Sequence, residues 1–197
     1  MNIKKNEMKS KIIFCAIFAL QVVNGFSQDM QSLKSEALLS YKAAVKMDFN
    51  TIFETTYPKL FEITSKDEMK QMLPEVLENE QYSIKYVEID PEFNVGKITK
   101  IEDMTFCVIK HKNVYTMTFK TPVQDVNEMV DTFKSIMKAD TMTFDKATNS
   151  FRVESQSIMV GIADDVTNNK WKFLSIDRDN VLFPMIFSAK IQKELGF

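Results

Sequence analysis

The sequence is short of the residues on which much enzyme chemistry depends. It has one histidine, His111, and two cysteines, Cys15 and Cys107. A zinc or iron site draws on several His, Cys and carboxylate ligands, so one histidine and one cysteine placed apart argue against a transition-metal centre. Glycine is scarce as well. Beyond Gly25 near the N-terminus there are only Gly96, Gly161 and Gly196, which leaves no glycine-rich phosphate loop and no serine set in a Gly-x-Ser-x-Gly elbow. Asp164-Asp165 near Asn168-Asn169 lacks the ordered spacing of a calcium loop and reads as a solvated turn. No metal and no cofactor is expected.

Long hydrophobic runs are also missing, with one exception. Lys4, Lys5, Lys9 and Lys11 precede an almost wholly apolar stretch over 12–23, which Asn24-Gly25-Phe26-Ser27 closes. A basic start, a short apolar core and small residues at the end are the layout of a secretory signal peptide. The run falls short of the roughly 20 apolar residues that a membrane span needs. Residues 1–27 are therefore expected to be removed. Residues 28–197 would form one exported domain, periplasmic or extracellular, with no stable membrane span.

The same division settles two further points. Cys15 lies inside the apolar core of the leader, between Ile13-Phe14 and 16–20, which argues against lipid attachment. Cys107 is then the only thiol of the mature chain, so no internal disulfide forms, and a lone cysteine in a strand reads as a small buried hydrophobe. The leader holds four of the 25 basic residues and one of the 27 acidic ones, leaving 21 against 26 and a net charge of −5. A nucleic-acid partner needs clustered Lys and Arg on one face, and no such run survives outside the leader.

What is present is a clear order of elements, helices first and strands after. Leu33, Ala37, Tyr41 and Ala44-Val45 recur at helical spacing and predict an amphipathic helix over 32–47. Asp48 is placed to cap a short second helix that ends at Tyr57-Pro58, because a residue before proline is pushed out of helical geometry. Ser65-Lys66-Asp67-Glu68 has the pattern of a capping box. It opens a third helix with Met69, Met72-Leu73 and Val76-Leu77 turned inward and a kink or stop at Pro74.

From Tyr82 the pattern changes to strands over 82–90, 97–110 and 114–121, with His111-Lys112-Asn113 as an exposed turn between the last two. A helix is predicted over 125–139 from Val126, Met129-Val130, Phe133 and Ile136-Met137. A hairpin of 141–145 and 151–163 follows, then a last strand over 170–177 and a terminal helix within 182–195.

Helices followed by a long-stranded antiparallel sheet predict an α+β domain. Particular segments add to this: Tyr41-Lys42-Ala43 through Met47-Asp48, Thr56-Tyr57-Pro58-Lys59-Leu60-Phe61, Ser157-Ile158-Met159-Val160-Gly161-Ile162, and Trp171-Lys172-Phe173-Leu174-Ser175-Ile176-Asp177. Together they resemble the exported, poorly characterised bacterial members of the NTF2-like (SnoaL-like, cystatin-like cone) superfamily. The resemblance implies N-terminal helices packed in the concave face of a strongly bent antiparallel sheet around a conical pocket. The helix over 125–139 would be an extra element inserted between strands. It also implies a choice among ligand binding, dimerisation through the outer sheet face, and isomerase or cyclase chemistry, and fold analogy does not decide among these.

The candidate pocket residues are Tyr41, Met104, Phe106, Tyr115, Met117, Phe119, Trp171 and Phe173, since apolar walls with a few polar groups characterise small-molecule sites. Simple core packing is the competing role for each. An isomerase would need an acid whose pKa an apolar cavity raises; Asp103 and Asp177 are the candidates, with Tyr115 or Tyr41 as donor. Both acids also suit exposed turns. The favoured function is non-catalytic binding of a small apolar or amphipathic ligand. The alternatives are a homodimeric interaction module of the cell envelope using an outer face with Cys107 and Ile109, and, third, an enzyme.

Overall fold

The computed structural model describes residues 29–137, 139–176 and 181–197. The leader over 1–27 and the candidate acid Asp177 lie outside the described residues. Among the described residues, six helices and an open antiparallel sheet make an α+β arrangement.

Helix α1 covers 29–46 and buries Leu33, Ala37 and Tyr41, the stripe expected from their spacing. It stops at Met47, which takes a positive φ of 55°. Helix α2 (Phe49–Thr55) starts where the Asp48 side chain accepts from the Thr51 N–H, satisfying a donor that the first turn would leave orphaned. A 3-10 turn over Pro58–Glu62 follows. Helix α3 (Lys66–Leu77) carries the expected capping box: Ser65 Oγ accepts from the Glu68 N–H and the Glu68 carboxylate accepts from the Ser65 N–H.

Two features of α3 differ from the sequence reading. The helix runs through Pro74 to Leu77. It also buries no residue, and Met72 and Val76 face solvent at 57% and 54% exposure. Only its Met69, Leu73 and Leu77 edge is half-buried.

Two long strands, β4 (Met104–Phe119) and β6 (Ser150–Ala163), form the spine of the sheet and pair in register from Thr105↔Ala163 to Thr118↔Ser150. The free edge of β4 takes β3 (Thr99–Ile101), β2 (Asn94–Val95) and β1 (Tyr82–Tyr86) in turn along its length. The free edge of β6 takes β7 (Lys172–Ile176) at one end and β5 (Thr141–Asp145) at the other.

The largest correction is in β4. His111-Lys112-Asn113 is no turn: the chain passes straight through it, and His111 is 5% exposed. Fourteen consecutive pairs with β6 outweigh the turn-like composition of three residues. The turn lies instead at Glu102-Asp103, between β3 and β4, where Glu102 takes φ 56°.

Side chains alternate across a strand, so the register assigns the faces. One face carries Cys107, Ile109 and Met159, which pack under α1 with Trp171 and Phe173. Further along that face, Tyr115, Phe119, Phe151 and Val153 pack under α4 (Val126–Met137). The opposite face carries Phe106, Val108, Val160, Ile162 and Leu174, covered by α5 (Leu182–Ile186), α6 (Ala189–Leu195) and Tyr57. The terminal segment is thus two helices; Phe187 ends one, and Ser188 caps the next by accepting from the Ile191 N–H. Among the described residues no helix is long and apolar enough to cross a membrane.

Candidate functional site

The face shared by α1 and α4 is apolar at both ends and polar in the middle. Its middle positions are His111 and Asn113 of β4 and their partners Ser157 and Ser155 of β6. A hollow of about 270 Å³ opens here, under the second half of α1 and bounded by Tyr41, Tyr86, His111, Asn113, Ser157 and Ser175. We call it the polar lobe.

An apolar lobe of about 370 Å³ lies beside it, between α1, α2, α3, α5 and the outer edge of β7. Ile52, Leu60, Met69, Leu73, Phe173 and Leu182 are among its walls. The two lobes share Ser40, Ala44, Met159, Ser175 and Ile176, so they adjoin, one apolar and the other polar. No Lys, Arg, Asp or Glu among the described residues lines either lobe.

Local structure explains why the cavity opens at β7. That strand pairs with β6 on one side only. On the other side its backbone makes one parallel bridge, from Thr56 to Phe173, with the Tyr57 N–H donating to the Phe173 carbonyl at 3.0 Å, and the Lys172 ammonium donates to the Glu54 carbonyl. Past that point the chain leaves into the 3-10 turn, and the rest of the β7 edge borders the hollow.

The polar lobe has an unusual wall. Tyr41, His111 and Phe93 form a triangle of edge-to-face rings, with centroids 5.6 to 6.2 Å apart. Edge-to-face contact is the geometry that aromatic quadrupoles favour. Yet the Tyr41 hydroxyl and His111 Nδ1 are both buried without a hydrogen-bond partner at good geometry. Buried polar atoms are seldom left so. Burial lowers the His111 pKa, opposed by the Lys112 backbone, and it raises that of Tyr41, opposed by the Ile89 backbone. Both groups therefore stay neutral near pH 7. Asn113 Nδ2 donates to Ser157 Oγ at 2.8 Å, leaving the Ser157 proton with no acceptor among the described residues.

The other candidate residues fall in several places. Tyr41 lines the polar lobe and Phe173 the apolar one. Tyr115 and Phe119 share their sheet face but pack at its α4 end, and Met117 is fully buried. Trp171 packs against α1, while Met104 and Phe106 belong to the core on the opposite face. Asp103 is exposed on the β3–β4 turn, away from the cavity.

Cys107 and Ile109, taken as outer-face residues, are fully buried under α1. Desolvation pushes the Cys107 thiol up to about 11, opposed by the Gly96 backbone. Among the described residues no three His, Cys, Asp or Glu side chains gather as a metal site. The residues that sequence reasoning missed are His111, Asn113 and Ser157; the signal was parity, since 107, 109, 111, 113 and 115 keep one face throughout.

Asp164 was read as part of a solvated turn and is instead 5% exposed. Its carboxyl accepts from the Tyr57 hydroxyl at 2.6 Å and from the Thr167 N–H at 3.0 Å. This node holds the β6–β7 turn against the helical layer, outside the cavity. Comparison of the chain with protein-family models, curated proteins and solved structures returns no match.

Proposed function

We propose that this chain is an exported protein of NTF2-like cone architecture that holds a small apolar or amphipathic ligand without transforming it. The observation that carries this reading is the pair of adjoining hollows, one apolar and the other polar. The apolar lobe, about 370 Å³, falls in the size range of small-molecule pockets, which are largely apolar with a few placed polar groups.

Helix α3 adds support. It is an amphipathic helix that buries none of its own residues, yet its Met69 and Leu73 edge lies on the apolar lobe. A helix normally gains its stability in a protein by burying an apolar face. A ligand in the lobe would supply the missing contact. Export rests on the basic and apolar leader, and the site of action is outside the cytoplasm.

Native mass spectrometry of the mature protein purified from its own host tests the reading. The expected spectrum carries a small-molecule adduct that organic extraction removes, and its removal lowers the melting temperature. A protein that arrives empty and gains no thermal stability from any apolar probe would overturn it.

A further inference from the structure

We infer that the ligand carries an uncharged, hydroxyl-type head group, bound in the polar lobe against His111 and the Asn113–Ser157 pair, with its apolar body in the neighbouring lobe. This rests on the binding reading above and adds what the site selects.

The first argument is charge. Neither lobe has a Lys, Arg, Asp or Glu among its described lining residues. A carboxylate, phosphate or ammonium head would meet no counter-ion among the described wall residues, and burying an unpaired charge is far costlier than burying a hydrogen-bonded neutral group. The desolvated imidazole does not supply the charge, because burial favours its neutral form.

The second argument is the inventory of unmet hydrogen bonds. His111 is 5% exposed and Tyr41 3%, and His111 Nδ1 and the Tyr41 hydroxyl are buried without a partner at good geometry, near the Lys112 and Ile89 backbones respectively. Neutral imidazole presents one donor and one acceptor nitrogen; a phenol or serine hydroxyl can do both. Ser157 accepts from Asn113 and keeps its own proton to give. A wall that both donates and accepts matches a hydroxyl, which does the same. A carboxylate only accepts and an ammonium only donates.

The third argument is position. Ser40, Met159 and Ser175 belong to both lobes, so the lobes adjoin, and a molecule spanning them would place its head beside His111 and its body against Leu73 and Phe173. An apolar molecule without a head would leave the polar lobe unmet.

The test uses three probes of one chain length, decanol, decanoate and decyltrimethylammonium, titrated into the mature protein at mildly alkaline pH by calorimetry. The expected order is decanol first, by about tenfold or more over either ion. His111→Leu, and independently the milder Ser157→Ala, should weaken decanol binding by several-fold, up to about tenfold. Thermal unfolding of each variant verifies that it folds. Decanoate or the cation binding as tightly as decanol would overturn the head-group inference and leave the cavity reading standing. Unchanged decanol affinity in both folded variants would do the same. If none of the three binds, the cavity reading itself fails.

Discussion

The Tyr57 hydroxyl donates to Asp164 Oδ2 at 2.6 Å, joining two points of the chain 107 residues apart. Both partners are buried. Burial and the adjacent carboxyl push the Tyr57 pKa up, so the phenol remains a donor across the working pH range. Asp164 in turn organises its own turn through Thr167 and through its carbonyl, which accepts from Asn169 N–H at 2.7 Å. Strand β7 leaves this turn to form a wall of the cavity.

Tyr57→Phe should therefore be costly out of proportion to the single atom removed. The ring keeps its stacking on Phe187, 5.6 Å away between centroids, so packing is preserved and the hydroxyl alone is lost. The carboxyl then lacks one of its partners inside the protein. Hydrogen bonds to charged groups contribute about 1.5–3 kcal/mol, and a loss of that size is expected. Urea unfolding measures it: the midpoint should fall with the slope unchanged. A loss no larger than that of a typical surface substitution would show that Asp164 finds another donor.

His111 sets a pH dependence of stability. Burial lowers its pKa below the ordinary 6.5, so the unfolded chain binds a proton that the folded one refuses. The contribution is fully present above about pH 6.5 and is lost as pH falls from there through the lowered folded value. One group changes stability by at most about 1.4 kcal/mol per pH unit. His111→Gln should flatten the stability curve between about pH 5.5 and 7, where ordinary carboxylates are already ionised. A wild-type curve that is already flat there would mean the imidazole protonates freely in the folded state.

Much of the helical layer was legible because its signals are local. The stripe of Leu33, Ala37 and Tyr41, the Asp48 cap and the Ser65–Glu68 box each lie within a few residues and are met by the chain's own backbone. The cavity was less legible because its residues depend on pairing across the sheet. His111-Lys112-Asn113 has turn-like composition, and only the partner strand β6, 44 residues on at Asn113–Ser157, makes it strand. Met104 and Phe106 look like neighbours of Tyr115 by type. Phe106 and Tyr115 differ in parity, however, and a face is a matter of parity. Asp164 resembles a solvated turn residue because nothing near it in sequence announces Tyr57.

Cys107 should be inert in the folded protein. Its thiol is fully buried and raised to about 11, and the thiolate is the reactive form. Aromatic disulfide reagents at mildly alkaline pH should label the native protein only as fast as it opens, and the denatured protein at once. Rapid labelling under native conditions would mean that α1 lifts from the sheet more readily than its buried contacts imply.

Gly161 fixes how closely α1 sits on that sheet. A Cβ added there would lie 2.8 Å from Leu33 Cδ1, 3.3 Å from Phe173 Cε1 and 3.4 Å from Trp171 Cε3. Leu33 is fully buried, so its methyl group cannot move aside without disturbing α1 or its neighbours. Gly161→Ala should cost about 1–3 kcal/mol through overpacking. Leu33→Ala alone should cost about 2–5 kcal/mol, because it leaves a cavity. Together they should cost less than their sum, since the new methyl group occupies space that the truncation vacates, and contacting residues couple by about 0.5–3 kcal/mol. A double-mutant cycle by urea unfolding reads that coupling. Strict additivity would mean that α1 relaxes away from the sheet in the single Gly161 variant, and the polar lobe beneath its second half would then widen with it.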